Sequence, residues 1–159
     1  SPCYTNMCNE GAWQATKILL SKPSTGTKAR SSSVLNRNSK LYGAMNALDE
    51  ADVSSCWNSD AASTTDDGDS SIYYTVMFNR SVMINEVRMQ FQGGFVGEEC
   101  TVYTSNKDTT SKKDMVALDE SLVEPEDVNE LQSFDLSTEE AGKRVCRTVQ
   151  FKFDSSTDF

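Results

Sequence analysis

Ile72-Tyr73-Tyr74-Thr75-Val76-Met77-Phe78 decides the fold class. Ile72, Tyr74, Val76 and Phe78 fall on one face of an extended chain, and Tyr73, Thr75 and Met77 fall on the other. Asn79-Arg80-Ser81 reads as a turn after this run. Beyond it, Val87, Met89 and Phe91 alternate with Glu86, Arg88, Gln90 and Gln92, as in a strand with one apolar and one wet face. Gly93-Gly94 breaks this second run. Further strands are expected over 100–104, 115–118 and 131–136. A last one alternates Val145, Val149, Phe151 and Phe153 with Cys146, Thr148, Gln150 and Lys152. Many short strands joined by polar turns predict an all-β, antiparallel β-sandwich. Helical spacing is confined to Leu41, Met45 and Leu48, with a weaker set at Trp13, Lys17 and Leu20.

Charge divides the chain unevenly. Of its 159 residues, 24 are acidic and 15 basic, for a net charge of −9. Residues 1–48 nevertheless hold six bases and one acid, Glu10. Residues 1–30 therefore read as a basic, acid-poor N-terminal arm, and 31–159 as the sandwich. No hydrophobic run follows 145–153, so the closing strand of the sandwich is expected to be missing. Unpaired strand edges promote aggregation, so the edge beside 145–153 is expected to be covered by the arm around Trp13–Leu20, by a partner or by further residues.

The acidic balance argues against nucleic acid as a partner. No apolar run approaches the ~20 residues of a membrane-spanning helix. With no histidine in the chain, His-based triads and most zinc sites are excluded. Serines and cysteines are present as nucleophiles, but without a histidine base to activate them an enzyme is not expected. Five cysteines at wide spacing, with no Cys-x-x-Cys pair, give no zinc framework. Cys100 and Cys146 lie in alternating apolar runs and read as small buried hydrophobes of a reducing compartment, while Cys3 and Cys8 leave a disulfide or a metal-binding half-site open. Asn79-Arg80-Ser81 also matches a glycosylation acceptor, which matters in a secreted chain and is otherwise chance.

Three strings stand out: Ser33-Val34-Leu35-Asn36-Arg37-Asn38, Ala47 to Asp60 (which contains Cys56-Trp57-Asn58-Ser59-Asp60), and Gln90-Phe91-Gln92-Gly93-Gly94-Phe95-Val96-Gly97. An Asp-rich turn closed by Ser-x-Trp and followed by paired strands resembles the discoidin, or galactose-binding-like, jelly-roll superfamily. The combined order of the strings is similar to its small intracellular, nuclear-receptor-associated members. The resemblance covers roughly residues 31–159. It implies a jelly-roll binding module without enzymatic activity, with a protein partner such as a nuclear receptor, in the nucleus or cytosol. Two alternatives stay open: an accessory subunit of a large assembly, for instance in a mitochondrion after removal of a targeting peptide, and a carbohydrate-binding module.

Each candidate site residue also has a plainer reading. Trp57 is either part of a binding rim with Asn58 or an indole that plugs one end of the sandwich, its N–H bonded to backbone. Gln92, Gly93, Gly94 and Phe95 either present backbone groups and an aromatic anchor to a partner or form a bulge with Phe95 turned inward. Asn36 and Arg37 line the same rim or simply cap a turn. Asp49 and Asp52 offer two carboxylates to a calcium ion, which takes six to eight oxygens; no other cofactor is implied.

Overall fold

The alternation of the deciding stretch survives in three dimensions. Ile72, Tyr74, Val76 and Phe78 are all buried, and the last three share one core with Val87 and Met89 of the second run and Val149, Phe151 and Phe153 of the last. Burial of each such side chain stabilises the fold by roughly 1.5–3 kcal/mol. The computed structural model describes residues 3–7, 16–48, 54–60, 71–92 and 96–156. In chain order the strands are β1 (Cys3–Met7), β2 (Thr16–Leu19), β3 (Lys28–Ser31), β4 (Ile72–Met83), β5 (Glu86–Gln90), β6 (Gly97–Ser105), β7 (Val116–Ala117), β8 (Leu131–Asp135) and β9 (Val145–Ser156). They form a four-stranded sheet ordered β2-β1-β5-β8 and a five-stranded sheet ordered β3-β4-β9-β6-β7. All the pairings are antiparallel, and the two sheets enclose the core as a β-sandwich.

Three expectations are revised. The division at residue 30 falls inside β3, which pairs with β4 from Lys28↔Met77 to Ser31↔Tyr74. Residues 3–7 and 16–19 are likewise strands of the smaller sheet, and Leu20, Thr27 and Ala29 are buried. These segments lack strong alternation, but pairing with neighbours satisfies their backbone groups. The helix read from Lys17 and Leu20 gives way to β2, and Trp13 lies outside the described residues.

Secondly, the last strand is central. β9 pairs with β4 on one side, as in Tyr74↔Phe151, and with β6 on the other, as in Val102↔Phe151. Its edges are hydrogen-bonded within the sheet, so the expected cover beside 145–153 has no edge to protect.

Thirdly, Asn79-Arg80-Ser81 is a bulge within β4 rather than a turn between strands. The β4–β9 register shifts between Met77 and Val82, and Asn79 takes a positive φ of 61°. The Arg80 guanidinium donates to Phe78 O at 2.7 Å and Thr25 O at 3.3 Å. It thereby ties the bulge to the Pro23–Gly26 turn, where Gly26 adopts φ 89°.

The polar face of the large sheet is not simply wet. Thr75, Thr148 and Gln150 are buried because the β6–β7 connection folds over them. Gln150 Nε2 donates to Thr75 Oγ1 at 3.0 Å and to Thr110 O at 3.4 Å, and Thr148 Oγ1 donates to Lys107 O at 2.6 Å. The spacing of Leu41, Met45 and Leu48 yields a one-turn helix α1 (Ser39–Tyr42) and a 3-10 turn (Ala44–Ala47), with Leu48 buried and Leu41 and Met45 exposed.

Candidate functional site

Strand direction gathers the singled-out strings at one end of the sandwich. β3 ends where β4 begins, at Ser31↔Tyr74, and β4 begins beside the end of β9, at Ile72↔Phe153. β6 starts beside that same end of β9, so the β5–β6 connection emerges there too. Phe91 fixes this connection by an edge-on contact with Phe153, ring centroids 6.1 Å apart. Exposed Gln92 follows it. Gly93, Gly94 and Phe95 lie outside the described residues, as do the calcium candidates Asp49 and Asp52.

The Ser33–Asn38 and Ser54–Asp60 loops are laced together. Leu35 N donates to Asn58 O at 2.8 Å, and Asn58 N donates to Tyr42 O at 3.2 Å. Asp60 N donates to Ser33 Oγ at 3.2 Å, while Asp60 Oδ1 accepts from Asn36 N at 2.9 Å. Ser55 Oγ donates to Asn46 O at 3.0 Å. Gly43 completes the packing: a Cβ there would collide with the Ser39 carbonyl oxygen.

Trp57 is the plug. Its Nε1 donates to Ser33 O at 3.1 Å, and its ring lies 4.9 Å from that of Tyr74, whose hydroxyl donates to Ala44 O at 2.8 Å. Amphipathic aromatics behave this way when one end is dry and the polar tip finds a carbonyl. Ser33 O accepts from Ser31 Oγ as well, at 2.9 Å.

Asn36 and Arg37 stand at the rim, exposed, and both are left-handed, at φ 53° and 56°. Such angles are uncommon for residues other than glycine and are held only where surrounding structure over-determines them. Here the bonds from Asp60 and Asn58 do so. The structure thus brings together Asn36, Arg37, Trp57 and Asn58, and topology sets Gln92 at the same end. Ser33, Asp60 and Tyr42, which hold the loops, are not marked as functional by the sequence; Ser33 and Asp60 do sit within the quoted strings, and Asp60 is spaced as a turn acid.

The antiparallel sandwich has the fold of discoidin, or F5/8 type C, domains. Solved structures share this fold. The family 32 carbohydrate-binding module of Clostridium perfringens NanJ, in complex with galactose, matches with a TM-score of 0.62 at 9% identity, covering 84% of this chain and 86% of that one. The serum fucolectin of striped bass matches with a TM-score of 0.61 at 11% identity, covering 82% of this chain and 42% of that one. No family model matches the chain. Among curated relatives, the nuclear receptor 2C2-associated protein of Danio rerio is 35% identical over 133 residues, covering 84% of this chain and 82% of the relative. Those of Xenopus laevis and Homo sapiens are 34% and 30% identical over 136 and 135 residues, covering 86% and 84% of this chain and 86% and 82% of the relatives. The chain belongs to the nuclear receptor 2C2-associated protein family.

Proposed function

We propose that this protein is a non-catalytic protein-binding module, an adaptor of corepressor type, which engages a nuclear receptor through the loop-built end of its sandwich. The observation that carries the reading is the pair Asn36–Arg37, exposed and fixed in the left-handed region by Asp60 and Asn58. A loop ordered before binding loses little entropy on association, and an arginine on such a loop suits a binding hot spot. The relatives' name supports a nuclear receptor as the partner: they are nuclear receptor 2C2-associated proteins. A nuclear or cytosolic setting goes with that partner.

A sugar reading draws on the fold alone, and fold does not determine ligand. Trp57 spends its N–H on Ser33 and packs its ring on Tyr74, so it is no open platform for a sugar ring. The test is binding of the purified chain to immobilised nuclear receptor 2C2, beside a glycan panel. Binding to the receptor that Arg37→Glu weakens at least tenfold, with an unchanged melting temperature, supports the proposal. Glycan binding with no receptor binding overturns it.

A further inference from the structure

The smaller sheet ends at β8, an edge strand whose outward hydrogen-bonding groups are open. Leu136 N donates to Asn85 O at 2.8 Å, in register with the β5–β8 pairs Val87↔Phe134 and Met89↔Gln132. Hydrogen-bonded pairs recur at every second residue of an antiparallel ladder, so Phe134 and Gln132 turn their backbone groups toward β5. Leu131 and Ser133 therefore turn theirs away from the sheet. Both residues are exposed, Leu131 by 50%, and no further hydrogen bond reaches either of them among the described residues. The larger sheet guards its β3 edge differently: there Met45 Sδ accepts from Ala29 N at 3.1 Å and covers it.

The surroundings of this edge are acidic. Residues 124–140 hold seven acids and no base. Glu130 immediately precedes the strand. Glu126 is tied to its flank by the Gln132 side chain, which donates to Glu126 O at 2.9 Å and accepts from Glu126 N at 2.8 Å. Asp135 stands within the strand, its Oδ1 accepting from Ser137 N at 2.8 Å. All three acids are exposed, and Glu126 and Glu130 have no ion-pair partner among the described residues. The base across the ladder, Arg88 opposite Ser133, is already paired with Glu86 at 3.1 Å. Like charge opposes the pairing of two such edges with each other, since each copy would bring its acids to the other's.

We infer that β8 binds an extended basic segment of a partner protein as an added strand. The segment's backbone pairs with Leu131 and Ser133, and its lysines or arginines meet Glu126, Glu130 and Asp135. Strand addition draws affinity from main-chain hydrogen bonds and specificity from alternate side chains. Opposite charge across the contact speeds encounter, selects basic over acidic segments and makes the binding sensitive to salt. The inference goes beyond the loop-end reading, since it concerns a sheet edge and uses none of Asn36, Arg37, Trp57 and Asn58.

The test titrates the full chain into a fluorescein-labelled peptide of alternating Lys and Thr, read by anisotropy at low and at physiological salt. The same peptide N-methylated at every residue keeps its charge but has no N–H with which to pair. S133P removes an outward N–H that the ladder does not use and sets a ring on the edge. Wild-type binding that weakens with salt, and that falls about tenfold for the N-methylated peptide and in S133P, supports the inference. Binding should also fall in E126Q/E130Q and hold in E98Q/E99Q. Thermal melts of each variant separate loss of the edge from loss of the fold, and the N-methylated comparison uses the unaltered chain. No binding, equal binding of the N-methylated peptide, or equal loss in E98Q/E99Q overturns the inference. So does self-association in sedimentation velocity that S133P abolishes, because the occupant is then a second copy.

Discussion

The indole N–H of Trp57 donates to the carbonyl of Ser33 at 3.1 Å, across 24 residues of sequence. That bond joins the two loops whose rims carry the proposed contact residues. Trp57→Phe keeps most of the packing on Tyr74 and leaves one acceptor with a single donor, so it should cost about 1 kcal/mol. Trp57→Ala also opens a cavity and should cost ~3 kcal/mol, or roughly 6–12 °C in Tm for a chain of this size. Urea and thermal unfolding of both variants measure the difference.

Asp60 orders the rim without touching the core. Asp60→Ala removes the acceptor that holds Asn36 N at 2.9 Å, and a single bond of this kind contributes about 1 kcal/mol. The global Tm should therefore move by only a few degrees. Hydrogen exchange at residues 34–38 should accelerate several-fold, and receptor affinity should drop without any change to Arg37 itself.

Cys56, Cys100 and Cys146 should differ in reactivity. Cys56 is exposed, whereas Cys100 and Cys146 are buried. Burial, with the Asp154 charge adding, pushes the Cys100 thiol up to about 12, so thiolate is scarce at neutral pH. Under native conditions iodoacetamide should modify Cys56 before Cys100 and Cys146, which stay intact until the fold is opened by denaturant. Peptide mapping by mass spectrometry reads the order.

The acidic 119–140 segment should loosen in acid. Asp119 is held below the usual carboxylate range chiefly by the backbone N–H of Ser121 and then by its hydroxyl. Glu139 is lowered chiefly by the backbone N–H of Asp119 and then by that of Glu140. Groups whose folded pKa is depressed stabilise the fold above their unfolded value of about 4, and lose that contribution as pH falls through the folded value. Unfolding free energy should therefore decline below about pH 4. D119N/E139Q should be less stable at neutral pH and should show a shallower decline, measured by urea titration across the acid range.

Much of the sandwich is legible in the alternation of 72–78, 86–90 and 145–153, because each run has a dry face and period two survives folding. The plug role of Trp57 is legible as well, since an indole packed partly into the core needs a carbonyl for its N–H. The N-terminal strands are not: Thr16-Lys17-Ile18-Leu19 becomes a strand by pairing with 4–7, a partner its own pattern does not reveal. Thr148 and Gln150 look solvated because their partners, Lys107 O and Thr110 O, lie about forty residues away. Asn36 and Arg37 stand out in the sequence as part of a string, yet their left-handed backbone is imposed from Asp60 and Asn58, which local propensity does not encode.

Backbone hydrogen exchange of the chain with and without purified nuclear receptor 2C2 tests the central claim most directly. The account predicts that the receptor protects amides within 34–38 and 54–60, and that Arg37→Glu removes this protection. A complex whose protection lies elsewhere on the sandwich, with both loops exchanging as in the free protein, would contradict it.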